Sequence, residues 1–102
     1  MNKNRIIEDI KISLKDMHPY IEVHLYGSEA RGDAKEGSDI DLLILVLKDN
    51  VTLQDELKIT APLYDIELQT GVLINTLILP KKEWGKVVTP FYENVMQDAI
   101  AL

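Results

Sequence analysis

Cysteine is missing from this 102-residue chain, so neither a disulfide nor thiolate chemistry contributes to its fold or function. That fits a cytoplasmic protein, which is the expectation. Basic residues are few beside acidic ones: 11 Lys and Arg against 17 Asp and Glu give a net charge of -6. A surface of that sign does not suit extended contact with a nucleic-acid backbone, which needs a dense Lys/Arg face. It leaves room for one anionic ligand held through a cation that bridges carboxylates and phosphate oxygens. Long apolar runs are also missing. The longest, Leu42–Leu47, is far shorter than the roughly 18 residues that cross a bilayer. The opening MNKNRIIEDIK carries acids and no long apolar stretch, unlike a secretory signal. No membrane association is expected, and there are no repeats, linkers or low-complexity tracts.

What is present suffices for one small core. Hydrophobic residues make up 46% of the chain, an ordinary globular share, and the length predicts a single domain over 1–102. A domain this small has a modest stability margin, and many lean on a partner or an oligomer.

Apolar periodicity predicts seven elements. Ile6, Ile10, Leu14 and Met17 fall at helical spacing over Asn2–Met17, and His18-Pro19 ends that helix. Ile21–Tyr26 alternates as a half-buried strand. Gly27-Ser28 opens a short helix that Gly32 or Gly37 can close. Ile40–Leu47 reads as a strand covered on both faces. Thr52 to Asp55 looks like a helix start with a capping side chain, and the pattern runs to about Gln69, although Pro62 must break, kink or restart it. Val72–Leu79 is a third strand ended by Pro80, and Thr89-Pro90 opens a last helix with Phe91, Val95 and Ala99 as its apolar stripe. The expected fold class is α/β (α+β), a small mixed sheet of about three core strands flanked by helices.

The chemistry lies in GSEARGDAKEGSDIDLLIL, Gly27–Leu45. A strand delivers the chain to a glycine and a helix starts directly after it, so free amides and the positive end of the helix dipole suit a phosphate. The Ser28 hydroxyl can donate to a phosphate oxygen. For an isolated Gly-Ser, a helix cap is the commoner explanation. Asp39 and Asp41 stand two apart at a strand start, so both project from one face. Two carboxylates pushed together repel unless a cation sits between them. If the two strands run antiparallel, the phosphate donors face the carboxylate pair. Mg2+ favours such an arrangement: one or two carboxylates, waters and substrate phosphates.

Gly27-Ser28-Glu29-Ala30-Arg31-Gly32 followed by Ser38-Asp39-Ile40-Asp41-Leu42 resembles the GSxARG…SDxDL pattern of minimal nucleotidyltransferases, in the DNA polymerase beta-like superfamily. The resemblance is close over about 20 residues and the element order agrees over nearly the whole chain. It implies Mg2+-dependent transfer of a nucleoside monophosphate from a triphosphate, ATP foremost, to a hydroxyl, with Mn2+ as an alternative ion. It implies that Ser28 and the Gly27 amide hold the triphosphate and that Asp39 and Asp41 bind metal. Arg31 reaches a phosphate, or braces the loop through Asp33, Glu36 or Asp39. Many small members act as antitoxins to an all-helical HEPN-type protein, so a helical partner is a second implication.

The superfamily's third carboxylate belongs on the next core strand, and Val72–Leu79 contains no acid. Asn75, in mid-strand, is the candidate for that position; Asp65 and Glu67, on the predicted helix, are alternatives. An amide can bind a metal weakly but cannot act as a base. Two functions therefore stand side by side: a metal-dependent transferase, and a catalytically impaired module that works by binding a helical partner. His24 shares a strand face with Glu22 and Tyr26, either near the site or merely packed. Lys81 and Lys82 can meet phosphates and Trp84 a base, or they are solvated lysines and a ring covering the sheet. The Ala99–Leu102 terminus either docks a partner or completes the core.

Overall fold

The computed structural model describes residues 3–33 and 38–102. Helix α1, Lys3–Leu14, turns Ile6, Ile10 and Leu14 inward, each at most 1% exposed, and its last turn tightens into a 3-10 turn over Lys15–Met17. Asn2, expected as its first residue, lies outside the described residues. Strand β1, Ile21–Tyr26, buries Ile21, Val23 and Leu25 on the α1 side. The short helix α2, Ser28–Arg31, leads toward β2, Ile40–Val46. β2 is the strand buried on both faces. Ile40, Leu42, Ile44 and Val46 join the α1 side, while Leu43 and Leu45 face the other way.

Helix α3, Leu53–Thr70, starts in a capping box: Thr52 Oγ1 accepts from the Asp55 amide and Asp55 accepts from the Thr52 amide. Pro62 neither breaks nor restarts it. A mid-helix proline costs about 3 kcal/mol, but Ile59, Leu63 and Ile66 flank it as one buried stripe on the core. Burial at roughly 1.5–3 kcal/mol per large side chain outweighs the lost hydrogen bond. Gly71, left-handed at φ 72°, closes the helix.

The Asp55 carboxylate carries a pH prediction. Lys48 Nζ, 2.9 Å away, and then the Thr52 amide hold it down at about 2, from an ordinary 3.8. A depressed carboxylate stabilises the fold above its unfolded value and loses that contribution as pH falls through the folded one. Thermal melts should therefore show the wild type ahead of Asp55→Asn at neutral pH. The gap should narrow as pH drops from 3.8 to about 2; a gap independent of pH in that window would refute the linkage.

Strand β3, Ile74–Pro80, begins two residues later than expected and includes Pro80. Val72 donates its amide to Thr70 Oγ1, which keeps it in the helix exit. The Ile74 amide donates to Glu67 Oε2, tying α3 to the start of the strand. Helix α4, Pro90–Asp98, is capped by Thr89 Oγ1 accepting from the Tyr92 amide. It ends before Ala99, which is an extended C-cap and not part of the expected stripe. Val95 is buried and Phe91 half exposed. The residues after Ala99 form a fourth strand, β4, Ile100–Ala101, antiparallel to β1, and Leu102 donates to the Val23 carbonyl. The terminus completes the sheet, which has four strands in the order β3-β2-β1-β4.

β1 and β2 are antiparallel and β2 and β3 parallel, the latter pair joined through α3. α1 and α3 cover one sheet face. Val95 of α4 packs on the other, against Leu43 and Leu45 with Tyr26, Leu77, Leu79 and Trp84 alongside. This is the mixed, helix-flanked α+β sheet expected, with one strand more. Among the described residues no helix is long and apolar enough to cross a membrane.

Candidate active site

The antiparallel register sets Tyr26, the last residue of β1, opposite Asp41, the second residue of β2. The chain must then leave the sheet beside that carboxylate, and Gly27 permits it. Its φ of 75° and ψ of -156° lie where essentially only glycine goes. A Cβ there would stand 2.5 Å from Asp41 Oδ2. Gly27 is also the N-cap of α2, and Ser28 is its first helical residue, with no side-chain capping bond at this end. The first amides of a helix have no intrahelical acceptor, and here they follow directly on the glycine. Gly32, left-handed at φ 80°, closes α2; Gly37, the other candidate, lies outside the described residues.

Asp41 is half-buried and Asp39, just before the strand, is exposed. The parallel register aligns Asn75 of β3 with Asp41. Asn75 Nδ2 donates to Asp41 Oδ1 and to Asp39 Oδ2, each at 3.1 Å. Asp41 thus has one oxygen on β3 and the other beside the Gly27 turn. Gly27, Asp39, Asp41 and Asn75 converge, with Ser28 next in the chain.

Other candidates go elsewhere. Arg31 reaches Asp98 of α4 at 3.2 Å and Asp33 at 3.4 Å, and these two partners, Asp98 first, raise its pKa above the ordinary guanidinium value. The Asp98 contact, not foreseen, braces α2 against α4, while the foreseen Asp33 contact ties Arg31 to the loop that follows α2. Glu36 lies outside the described residues. Asp65 is exposed on α3, and Glu67 is engaged with the Ile74 amide. α3 packs on the sheet face opposite the Asn75 side chain, and neither acid joins Asp39 and Asp41 as a metal-holding group among the described residues. Glu22 pairs with Lys81, which lowers its pKa, and lies 3.6 Å from His24. Lys82 pairs with Asp49 at 3.1 Å. Trp84 stacks edge-on against Phe91 and tilts onto Tyr92, with its indole N–H on Met96 Sδ. It covers the sheet.

Two residues near the site carried no sequence-based role. Burial, and then the charge of Asp41, raises the Tyr26 pKa, and its ring meets Phe91 edge-on at 6.2 Å. Its signal was its place just before Gly27. Lys3 Nζ lies 2.8 Å from Glu29 Oε1 and 2.6 Å from the Ser38 carbonyl, holding α1 to both flanks of the phosphate-loop candidate. Nothing local in the sequence signals that.

Two carboxylates beside a turn that presents free amides fit one hard divalent ion shared with phosphate oxygens. Among the described residues no third His, Cys, Asp or Glu joins them as a metal-holding group.

Residues 7–102 match the model of the nucleotidyltransferase domain family. The chain belongs to that family. The relatives of this nucleotidyltransferase domain include two proposed protein adenylyltransferases of Methanocaldococcus jannaschii. One is 41% identical over 81 residues, covering 74% of this chain and 81% of the relative. The other is 30% identical over 105 residues, covering 100% and 99%. Among solved structures, one described as a proposed minimal nucleotidyltransferase aligns with a TM-score of 0.67 at 25% identity, covering 100% of this chain and 97% of the other. A toxin-antitoxin structure with AMP-PNP aligns at a TM-score of 0.60 and 19% identity, over 99% of this chain and 72% of that one; at that identity it shows the fold alone. The fold is the nucleotidyltransferase fold.

Proposed function

We propose that this domain binds ATP with Mg2+, for which Mn2+ substitutes, and transfers AMP to a hydroxyl group of a protein. The observation that carries the reading is the convergence of Gly27, Asp39, Asp41 and Asn75 at the ends of three adjacent strands. Ser28, the Gly27 amide and the start of α2 hold the triphosphate. Asp39 and Asp41 are the metal ligands. The bound ion supplies charge neutralisation on the phosphates and the leaving pyrophosphate. In the transfer, the acceptor oxygen bonds to the α-phosphorus as the bond to pyrophosphate breaks, and the hydroxyl proton passes to solvent. The protein acceptor is favoured by the relatives named as adenylyltransferases. Arg31 is already paired, so it supports the loop and reaches a phosphate only by leaving Asp98. The domain works in the cytoplasm.

Isothermal titration of ATP with Mg2+ tests this reading. Heat should be released on binding in Mg2+ and vanish in chelator. Binding indifferent to metal, or none in Mg2+, would defeat it.

A second reading has its own support. α3 exposes Leu53, Leu57, Tyr64 and Leu68 along one side, each more than half accessible. Such a stripe suits a helical partner of HEPN type, as in the resemblance to antitoxins. In that reading the domain acts by binding, and its complex survives loss of the carboxylates.

A further inference from the structure

Asn75 occupies the sheet position next to Asp41 and engages both carboxylates at once, at 3.1 Å each. Only its NH2 can face two carboxylates, because the amide oxygen has no proton to donate. Each N–H takes one lone pair: Asp39 Oδ2 and Asp41 Oδ1. The partial positive charge of the amide eases the repulsion between the acids. It also fills the β3 side of the pair with an NH2 group, where a cation would require an acceptor.

The remaining oxygens are differently placed. Asp41 Oδ2 lies against the Gly27 turn, 2.5 Å from where a Cβ would be. A cation on that side meets free carboxylate oxygen and, with a triphosphate on the turn, phosphate oxygen. Among the described residues no other acid makes up the deficit on the β3 side. The next residues of that strand face are Leu77 and Leu79. Glu67 is on the opposite face, and Asp98 is paired with Arg31.

We infer that this site takes a single divalent ion, on the Gly27 side with the nucleotide, and that Asn75 is the positioning residue that fixes the number at one. The inference rests on the function proposed above but is separable from it. For a second ion to bind near Asp39 and Asp41, the amide would have to rotate, lose both hydrogen bonds and offer one neutral oxygen. An aspartate at the same position offers a charged oxygen and no proton.

Equilibrium dialysis with Mn2+ and a non-hydrolysable ATP analogue reads the number directly, as excess manganese per excess nucleotide on the protein side. The wild type should hold one ion per nucleotide and Asn75→Asp two. Asn75→Ala should still hold one, with affinity weakened about tenfold, as for other groups that orient metal ligands. Without metal, Asn75→Asp should melt lower than wild type through carboxylate repulsion and regain the difference in Mn2+. That recovery separates a new ion site from a merely damaged fold. Two ions in the wild type, or one in a folded Asn75→Asp, would overturn the inference and leave the proposed function standing. No manganese-dependent nucleotide retention in any variant would overturn both.

Discussion

Asp39→Asn/Asp41→Asn should abolish metal-dependent ATP binding and lower AMP transfer by roughly a thousandfold or more, since a bound metal contributes several kcal/mol at about 1.4 kcal/mol per tenfold. The fold should persist. Asp39 is exposed and Asp41 half-buried, so neither is a core group. Each replacement amide still offers Asn75 an oxygen acceptor, and removing two adjacent negative charges relieves repulsion. Melting should shift by only a few degrees, corresponding to less than about 1 kcal/mol. Turnover unchanged in a folded double variant would defeat the enzymatic reading. Any complex with a helical partner through α3 should survive, because the exposed stripe lies on the helix covering the other sheet face.

Gly27→Ala should be nearly as damaging, for a different reason. The backbone at φ 75° and ψ -156° costs a residue with a Cβ about 1–3 kcal/mol. The methyl would also collide with Asp41 Oδ2, which must swing away or drag β1 from β2. Nucleotide binding should fall more than about tenfold, beyond any fraction lost to unfolding, because an ångström-scale misplacement of a site is costly. Gly32→Ala is the control. Gly32 is also at positive φ, 80°, but among the described residues nothing lies within 4 Å of a Cβ there. Its cost should be the left-handed penalty of roughly 1–2 kcal/mol, with binding retained in the folded fraction. Equal loss of binding in the two variants, measured by titration at a temperature where both are folded, would show that backbone strain and not the Asp41 contact matters.

Much of the fold was legible because its signals are local. The Thr52–Asp55 capping box, the Thr89-Pro90 helix start and the alternation of Ile21–Tyr26 each depend on residues within a few positions. The break or restart that Pro62 suggested is absent because its local penalty is set against burial of Ile59, Leu63 and Ile66, which only tertiary packing supplies. β4 escaped because two residues have no periodicity; its partner, β1, is more than 70 residues away. The same division runs through the site. Gly27, Ser28, Asp39 and Asp41 stand in one motif, and the family resemblance, which places a third acid on the next core strand, pointed to Asn75 in mid-run. That Asn75 bonds both carboxylates, that Arg31 reaches Asp98 and that Glu67 holds the Ile74 amide are contacts across the fold. Sequence spacing carries no such information.

The parallel pairing of β2 with β3 has a consequence for how the site comes into being. Antiparallel closure of β1 on β2 brings Gly27 to Asp41, 14 positions further along the chain (41 minus 27). Asn75 can arrive only when the long α3 excursion closes, since it is 34 positions from Asp41 and 36 from Asp39. Non-local closure of that kind is the slow part of assembling a small domain. Until it is complete, the two acids face each other without the amide. The carboxylate pair is therefore an uncompensated charge until β3 docks and a compensated one after it, so the arrival of that strand also relieves the repulsion within the site.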